Sequence, residues 1–302
     1  GRHHHVEFPE PTYDLDADAN AEFETGAYRL RYQSLITPSS VFDYDIGGRG
    51  LLLLKQAPVL GGYDPAQYRS ERIHAVASDG TRIPISLVRR AEISSDGSSP
   101  MLLAGYGAYG FPYPAGFSSN RLSLLDRGVV YAIAYVRGGG ELGEDWRNQG
   151  RMMRKMNSFR DFIDCAEALV RERYTSADRL VSHGGSAGGL LVSAAANMRP
   201  DLFKAVVAQV PFVDVVNTML DASLPLTTGE YLEWGNPQDP EVRRYLLEYS
   251  PYDNIRPQAY PAMLVQVSLH DTQVPYWRGA KCVARLRDLK TDQNPVLLRG
   301  EL

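Results

Sequence analysis

A serine set between pairs of glycines is the residue of this sequence best suited to covalent chemistry. Ser186 stands in the run Gly184–Gly189, with an apolar stretch before it and another after it. Glycines two positions either side of a serine, between a strand pattern and a helix pattern, are typical of a nucleophile elbow, in which a sharp turn exposes the hydroxyl. The amide of Ala187 would open the helix and supply half of an oxyanion hole.

The same glycines also suit a turn without chemistry, or one that holds phosphate. A phosphate-binding loop needs a lysine followed by serine or threonine after its glycines, and no such pair follows Gly189. The sequence therefore favours the elbow, which is the central feature of an α/β-hydrolase.

A serine nucleophile needs a base and an acid that orients the base, and in this fold the chain order is serine, acid, histidine. Asp271 follows the apolar run AMLVQVSL, and open α/β sheets collect their sites at the carboxyl ends of strands. The alternative role for Asp271 is to cap the helix that contains Trp277.

The base is not evident, because none of the six histidines follows Asp271. His183 lies in the elbow strand and His270 adjoins the acid, so we interpret both as structural. The sequence ends at Leu302, directly after the strand pattern PVLLR. We expect the catalytic histidine in a loop beyond this point.

The elements that position these residues fall into two predicted domains, 1–60 and 61–302. The first contains four short strand-like runs, HHHVEFP, YRLRYQSL, SVFDYDI and RGLLLLKQ, the last two joined through Gly47 and Gly48. Four antiparallel strands amount to about one blade of a β-propeller, so we expect this domain to be incomplete. The histidines at 3, 4 and 5 are better read as strand than as a metal site.

From residue 61 onward, a hairpin around Asp79 and Gly80 precedes apolar strand patterns that alternate with amphipathic helix patterns. Continuous apolar strands alternating with helices predict a mostly parallel sheet with helices on both faces. An entry hairpin followed by this alternation is how α/β-hydrolases begin, so together with the elbow the sequence predicts the α/β-hydrolase fold.

Composition narrows the possible functions of the chain. It has 302 residues, 44% of them hydrophobic, and a net charge of −4, which argues against nucleic acid as a partner. No run is long enough to span a membrane, and the start lacks a signal-peptide pattern. Cys165 and Cys282 are expected as buried thiols, which favours the cytoplasm and leaves the periplasm open. No metal or cofactor is expected.

Several longer motifs resemble one known family. They are RSERIHAVASDGTRIPISLV, GYGAYG, FSSNRLSLLDRGVVYAIAYVRGGGELGEDW, GGSAGGLL, NMRPDLFKAVVAQVPFVDVVNTMLD, PLTTGEYLEWGNP, YSPYDN and HDTQVPYW. The chain is thereby similar to the oligopeptidase B branch of the prolyl oligopeptidase family of serine peptidases. The resemblance implies an N-terminal β-propeller, of which residues 1–60 would be the last part, and a catalytic histidine after the final strand.

The resemblance also implies roles for individual residues. Ser186 would be the nucleophile, Asp271 the orienting acid, and the Tyr106 hydroxyl a second oxyanion donor beside the Ala187 amide. From the residues alone, Tyr106 reads as a packing aromatic. One such donor is worth roughly 3–4 kcal/mol in the transition state.

Substrate choice is implied by the stretch TTGEYLEWGNP. Glu230 would pair with an arginine or lysine of the substrate, although by itself it reads as a solvated acid. The family's second acid, two positions later, is Leu232 here.

Together these features predict a serine oligopeptidase that cleaves short peptides after basic residues, arginine over lysine, through an acyl-enzyme. Without a histidine after Asp271, we expect the chain by itself to be inactive. The alternatives are a serine esterase or acyl-peptide hydrolase on the same fold, and a non-catalytic homologue that acts as an interaction domain.

Overall fold

The computed structural model describes residues 3–302, so Gly1 and Arg2 of the predicted first domain lie outside the described residues. The chain forms two compact units. The first comprises the residues up to Ile73 with Ser86–Ser94 and Pro114–Tyr131, and the second comprises His74–Ile85, Ser95–Tyr113 and Ala132–Leu302. The first unit extends beyond residue 60, where we predicted a domain boundary.

The first unit contains a four-stranded antiparallel sheet in the order β1-β2-β3-β4. Its strands are β1 (Tyr13–Ala17), β2 (Ala27–Ser34), β3 (Ser40–Asp45) and β4 (Gly50–Gln56). The predicted hairpin through Gly47 and Gly48 is confirmed, since it joins β3 to β4. Arg29 on β2 also forms two hydrogen bonds with Asp43 on β3, at 2.8 and 2.9 Å.

The prediction of a strand in HHHVEFP is wrong. Residues 3–8 form no strand, and the first strand is instead β1. Pro9 and Pro11 cannot donate to a ladder, and they separate this segment from β1. The segment is held by side chains, because Phe8 stacks on Tyr32 with ring centroids 4.9 Å apart.

In the described part of the chain, eight further strands form one sheet, and each contributes residues to the second unit. They are β5 (Tyr68–Val76), β6 (Arg82–Arg90), β7 (Met101–Gly105), β8 (Val130–Ala134), β9 (Leu180–Gly185), β10 (Ala205–Gln209), β11 (Ala262–Ser268) and β12 (Val296–Glu301), in the order β12-β11-β10-β9-β7-β8-β6-β5. The pairs from β7 to β12 are parallel. The predicted mostly parallel sheet is confirmed.

Eight α-helices accompany the strands within residues 3–302. They are α1 (Ser119–Leu125), α2 (Glu144–Asn148), α3 (Met156–Arg171), α4 (Ala187–Met198), α5 (Val215–Leu220), α6 (Tyr231–Trp234), α7 (Pro240–Tyr249) and α8 (Tyr276–Leu289). Every residue of β8 is buried, so both faces of this central strand are covered. Within residues 3–302, no helix has both the length and the apolar character needed to cross a membrane.

A buried ion pair joins the segment after β8 to α3. Asp161 on α3 is fully buried and accepts hydrogen bonds from the Arg137 backbone amide, Nε and Nη2 at 2.9, 2.8 and 2.6 Å. The Arg137 Nη1 also donates to Asp79 at 2.6 Å. The entry hairpin, the glycine-rich loop after β8 and α3 are therefore fixed to one another by a single guanidinium.

Candidate active site

Ser186 occupies a strained turn between β9 and α4. Its φ is 55° and its ψ is −117°, values that residues with a side chain rarely adopt. The Ser186 amide donates to the Gln209 carbonyl at 2.9 Å, and the Ser186 carbonyl accepts from the Phe212 amide at 3.1 Å. The end of β10 and the segment directly after it thus hold the turn in place, and the predicted sharp strand-to-helix turn is present.

The glycines around Ser186 are explained by close backbone contacts. A Cβ on Gly184 would lie 2.1 Å from the Gly188 carbonyl oxygen, and one on Gly188 would lie 2.6 Å from the Gly105 carbonyl oxygen. A Cβ on Gly189 would lie 2.6 Å from Pro211. Gly185 differs, because the nearest atom to its Cβ would be 3.7 Å away. Three of the four glycines are therefore required by packing.

Ser186, Tyr106 and Glu230 line one cavity of about 130 Å³. Phe212 contributes to its lining, as do the residues from Thr272 to Pro275. The structure thus brings together three of the five predicted site residues around one space. Ala187 is adjacent through the chain, and Asp271 immediately precedes the loop that lines the cavity.

Tyr106 follows β7 and directs its hydroxyl to Ser186, with the two side chains within hydrogen-bonding reach. Burial raises the pKa of Tyr106, and the negative charges of Glu230 and Glu233 raise it further. The hydroxyl therefore stays protonated and can donate a hydrogen bond over the whole physiological pH range. Tyr106 thus places a neutral hydrogen-bond donor beside Ser186.

Ala187 is the first residue of α4 and is buried. The amide of a first helical residue has no acceptor inside its own helix. It is thus available to an oxygen bound next to Ser186, where the positive end of the helix dipole adds to its effect.

Asp271 lies at the carboxyl end of β11. Its Oδ1 accepts hydrogen bonds from the amides of Gln273 and Val274, at 2.8 and 2.9 Å. This carboxylate therefore braces the loop before α8, whose N-cap is Pro275 rather than Asp271. The second oxygen forms no hydrogen bond within residues 3–302, so it remains available to an imidazole.

Neither His183 nor His270 lines the cavity. The His183 Nε2 lies 2.9 Å from the Gln209 Oε1, and the Gln209 Nε2 donates to Gln266 at 2.6 Å. His183 thus belongs to a polar row across β9, β10 and β11. His270 is exposed.

Glu230 immediately precedes α6 and is half-buried in the cavity wall. Its Oε2 accepts a hydrogen bond of 3.0 Å from the Trp234 indole, which fixes the carboxylate. Leu232, at the position of the family's second acid, is 72% exposed and is not part of the lining. Glu230 is therefore the one acidic side chain of this stretch that reaches the cavity.

Sequence reasoning missed two buried charges that hold the turn carrying Tyr106. Lys155 is 2% exposed and donates to the Gly107 carbonyl, and Glu233 is 3% exposed and accepts from the Tyr109 amide at 2.9 Å. In sequence, Lys155 stands in the run QGRMMRKMN beside other basic residues, so no pattern marks it as buried.

The turn needs such support because its backbone is unusual. Gly107, Tyr109 and Gly110 have φ values of 67°, 60° and 64°. At positive φ the Cβ of Tyr109 is sterically disfavoured, whereas glycine has no Cβ. The hydrogen bonds of Lys155 with the Gly107 carbonyl and of Glu233 with the Tyr109 amide hold this strained segment directly after Tyr106.

A third missed residue, Arg278, is 4% exposed and lines the cavity. Here the sequence carried a signal. Arg278 is spaced four and eight residues from Cys282 and Leu286, both buried on α8, so helical periodicity places it on the buried face.

Comparisons with known proteins agree on one family. Residues 115–301 match the family model described as the prolyl oligopeptidase family. The chain is 48% identical over its whole length to dipeptidyl aminopeptidase BI from Pseudoxanthomonas mexicana, covering 42% of that protein. It is 42% identical to protease 2 from Moraxella lacunata, with 98% of this chain and 43% of that protein covered.

The solved structures give the same answer. Oligopeptidase B from Leishmania major superposes with a TM-score of 0.92 and 44% identity, covering 98% of this chain and 42% of that one. The chain therefore spans less than half the length of the relatives it matches.

The elbow glycines give a first prediction. Gly184→Ala and Gly188→Ala should each lower the free energy of unfolding by about 1–3 kcal/mol, because the added methyl meets backbone that cannot rotate away. Gly185→Ala is the matched control and should change it little. Urea unfolding of the three variants checks this, and a control as unstable as the other two would contradict the packing argument.

The buried lysine gives a second prediction. Burial lowers the pKa of Lys155 from 10.5 to about 8, so between these values the unfolded chain binds more protons than the folded one. Through this group, the free energy of unfolding therefore rises with pH, by about 2 kcal/mol from pH ~7 to ~9.5.

Lys155→Met removes this dependence. The stability of the wild type relative to Lys155→Met should accordingly increase over that range in urea unfolding. Lys55→Met, at an exposed position of β4, should show no such trend. A difference between wild type and Lys155→Met that stays constant with pH would show that Lys155 has an ordinary pKa.

Proposed function

Because the chain belongs to the prolyl oligopeptidase family of serine peptidases, we propose that it is the catalytic part of an enzyme that cleaves short peptides after basic residues. The predicted family and the predicted α/β-hydrolase fold are confirmed by the comparisons. The observation that carries the proposal is the common cavity of Ser186, Tyr106 and Glu230.

In this proposal, Ser186 Oγ attacks the peptide carbonyl carbon while a base takes the hydroxyl proton. The carbonyl oxygen becomes an oxyanion, which the Ala187 amide and the Tyr106 hydroxyl stabilise. The tetrahedral intermediate then collapses, the C–N bond breaks, and the protonated base returns the proton to the leaving amine. Water attacks the resulting ester by the same route and releases Ser186.

The base we propose is a histidine outside this chain, since no histidine follows Asp271 and neither His183 nor His270 lines the cavity. Asp271 would orient it. The free Asp271 oxygen and the bracing of the other oxygen by two amides support this role, because a held carboxylate fixes the imidazole ring it binds in one orientation.

Glu230 is the proposed partner of the basic side chain just before the cleaved bond. A single carboxylate can bind a guanidinium through two parallel hydrogen bonds, whereas it binds an ammonium as a more strongly hydrated point charge. Since Leu232 adds no second acid, we expect arginine to be preferred over lysine.

The remaining proposals concern the whole protein. The four-stranded sheet of the first unit fits the last part of a β-propeller, and the relatives are more than twice as long as this chain. We place the enzyme in the cytoplasm, a proposal that Cys165 and Cys282 support as free, buried thiols. Short peptides are the proposed partners.

A second candidate is the release of dipeptides from the amino end of a peptide. The name of the relative from Pseudoxanthomonas mexicana, a dipeptidyl aminopeptidase, favours it. Both candidates use the same nucleophile and differ in whether a free amino group is required.

The catalytic proposal is tested in the full-length protein. Ser186→Ala and Asp271→Asn should reduce kcat for an arginyl peptide by on the order of 10⁴-fold, and Tyr106→Phe by roughly 10²-fold. The 302-residue chain by itself should be as inactive as Ser186→Ala. Full turnover in Tyr106→Phe would show that another donor stabilises the oxyanion. Turnover by the isolated chain would contradict the proposal that the base lies outside it.

The specificity proposal is tested with peptides that carry Arg, Lys or Ala before the cleaved bond, each with a free and with an acetylated amino end. Glu230→Gln should lower kcat/KM for the arginyl peptide by at least about tenfold relative to the alanyl peptide, because one charge-assisted pair is lost. Leu232→Gln is the control at an exposed position. Cleavage confined to free amino ends would favour the dipeptidyl candidate.

A further inference from the structure

Arg278 is a buried cation beside the nucleophile that the proposed reaction does not use. Its side chain on α8 is 4% exposed and lines the same cavity as Ser186 and Glu230. The guanidinium lies over the Phe212 ring, with Cζ 5.8 Å from the ring centroid. Burial lowers the pKa of Arg278, yet a guanidinium keeps its charge at any physiological pH.

Four carboxylates act on Arg278 electrostatically without forming an ion pair or hydrogen bond with it: those of Asp214, Glu230, Asp271 and Asp221. Each of them is engaged elsewhere. Asp214 forms an ion pair with Lys281, for example, and Glu230 accepts from Trp234. Within residues 3–302, no side chain or carbonyl therefore satisfies the Arg278 donors.

A guanidinium that is only 4% exposed and has no protein acceptor is unfavourable, because it has lost most of its water and gained no replacement. The cation–π contact with Phe212 offsets only part of the free energy lost with that water. Because the guanidinium borders a cavity next to Ser186, a bound molecule can supply the acceptor. A buried and unsatisfied polar group at such a cavity is typical of a binding site.

We propose that Arg278 is a specificity-determining residue that donates hydrogen bonds to an acceptor oxygen on the substrate side chain contacted by Glu230. The Glu230 carboxylate accepts hydrogen bonds and the Arg278 guanidinium donates them. The two together therefore fit a substrate side chain that carries both a donor and an acceptor. Primary amides and ureido groups do so. The cavity thereby admits side chains such as those of glutamine and citrulline in addition to arginine.

The charges explain why Arg278 limits the preference for arginine. An arginine side chain offers only donors, which suit Glu230 but meet Arg278 as a like charge. Citrulline has the same length and replaces one charged nitrogen by an oxygen. The inference rests on the proposed function for the identity of this cavity as the site of the side chain before the cleaved bond.

The experiment compares kcat/KM of the full-length enzyme for two matched peptides, with arginine or citrulline before the cleaved bond. An alanyl peptide reports losses common to all substrates. Arg278→Met should raise the arginine-to-citrulline ratio by at least about tenfold, because it removes both the repulsion and the donor. Arg285→Met, on the same helix and outside the cavity lining, should leave the ratio unchanged.

A ratio within twofold of the wild-type value in Arg278→Met would overturn the inference, and so would an equal loss for all three peptides. Arg278→Gln serves as a second variant if Arg278→Met does not fold, with the same expected direction. If the wild type cleaves none of the peptides, the proposed function fails. Calorimetric binding of the two peptides to Ser186→Ala and to Ser186→Ala with Arg278→Met then decides whether Arg278 selects between them.

Discussion

The contact between the backbones of Gly188 and Gly105 sets the distance between Ser186 and Tyr106. Gly188 lies in the first turn of α4 and Gly105 ends β7, and a single added methyl at Gly188 would lie 2.6 Å from the Gly105 carbonyl oxygen and 3.4 Å from the Tyr106 ring. Because nothing separates the two backbones, Ser186 and Tyr106 are brought within reach of each other.

The buried charges near the site are stabilised in different ways. Arg137 and Asp161 satisfy each other almost completely through three hydrogen bonds. Lys155 and Glu233 instead form hydrogen bonds with the backbone of the turn after Tyr106. Lys155 donates to the Gly107 carbonyl, and Glu233 accepts from the Tyr109 amide. The paired charges of Arg137 and Asp161 thus fix the scaffold, and those of Lys155 and Glu233 fix a strained turn. In our proposal, the charge of Arg278, which has no such partner, binds a ligand.

The elbow and most of the strands were predictable because their signals are local. Glycine spacing around Ser186 reflects steric contacts within a few residues, and apolar runs reflect strands buried on both faces. The first strand of the chain was misplaced, since HHHVEFP has strand-like composition but ends in Pro9, with Pro11 two residues later.

The supports of the site were not predictable in the same way. Whether Lys155 or Glu233 is buried depends on elements far apart in the chain, and a charged residue in a polar stretch gives no local sign of burial. Tyr106 drew attention only through the family resemblance. Helical periodicity on α8 places Arg278 on the buried face, although arginine is usually exposed.

Trp234 is fully buried and lies between Glu230 and the residues that hold the turn after Tyr106. Its indole N–H donates to Glu230, its ring lies 5.0 Å from the Lys155 Nζ, and its centroid is 5.6 Å from that of Tyr109. An indole is a fluorophore whose emission follows nearby charge and hydrogen bonding. The molecule thus carries an intrinsic optical probe beside the cavity of Ser186, and a bound molecule that contacts Glu230 should change the emission of Trp234 without any added label.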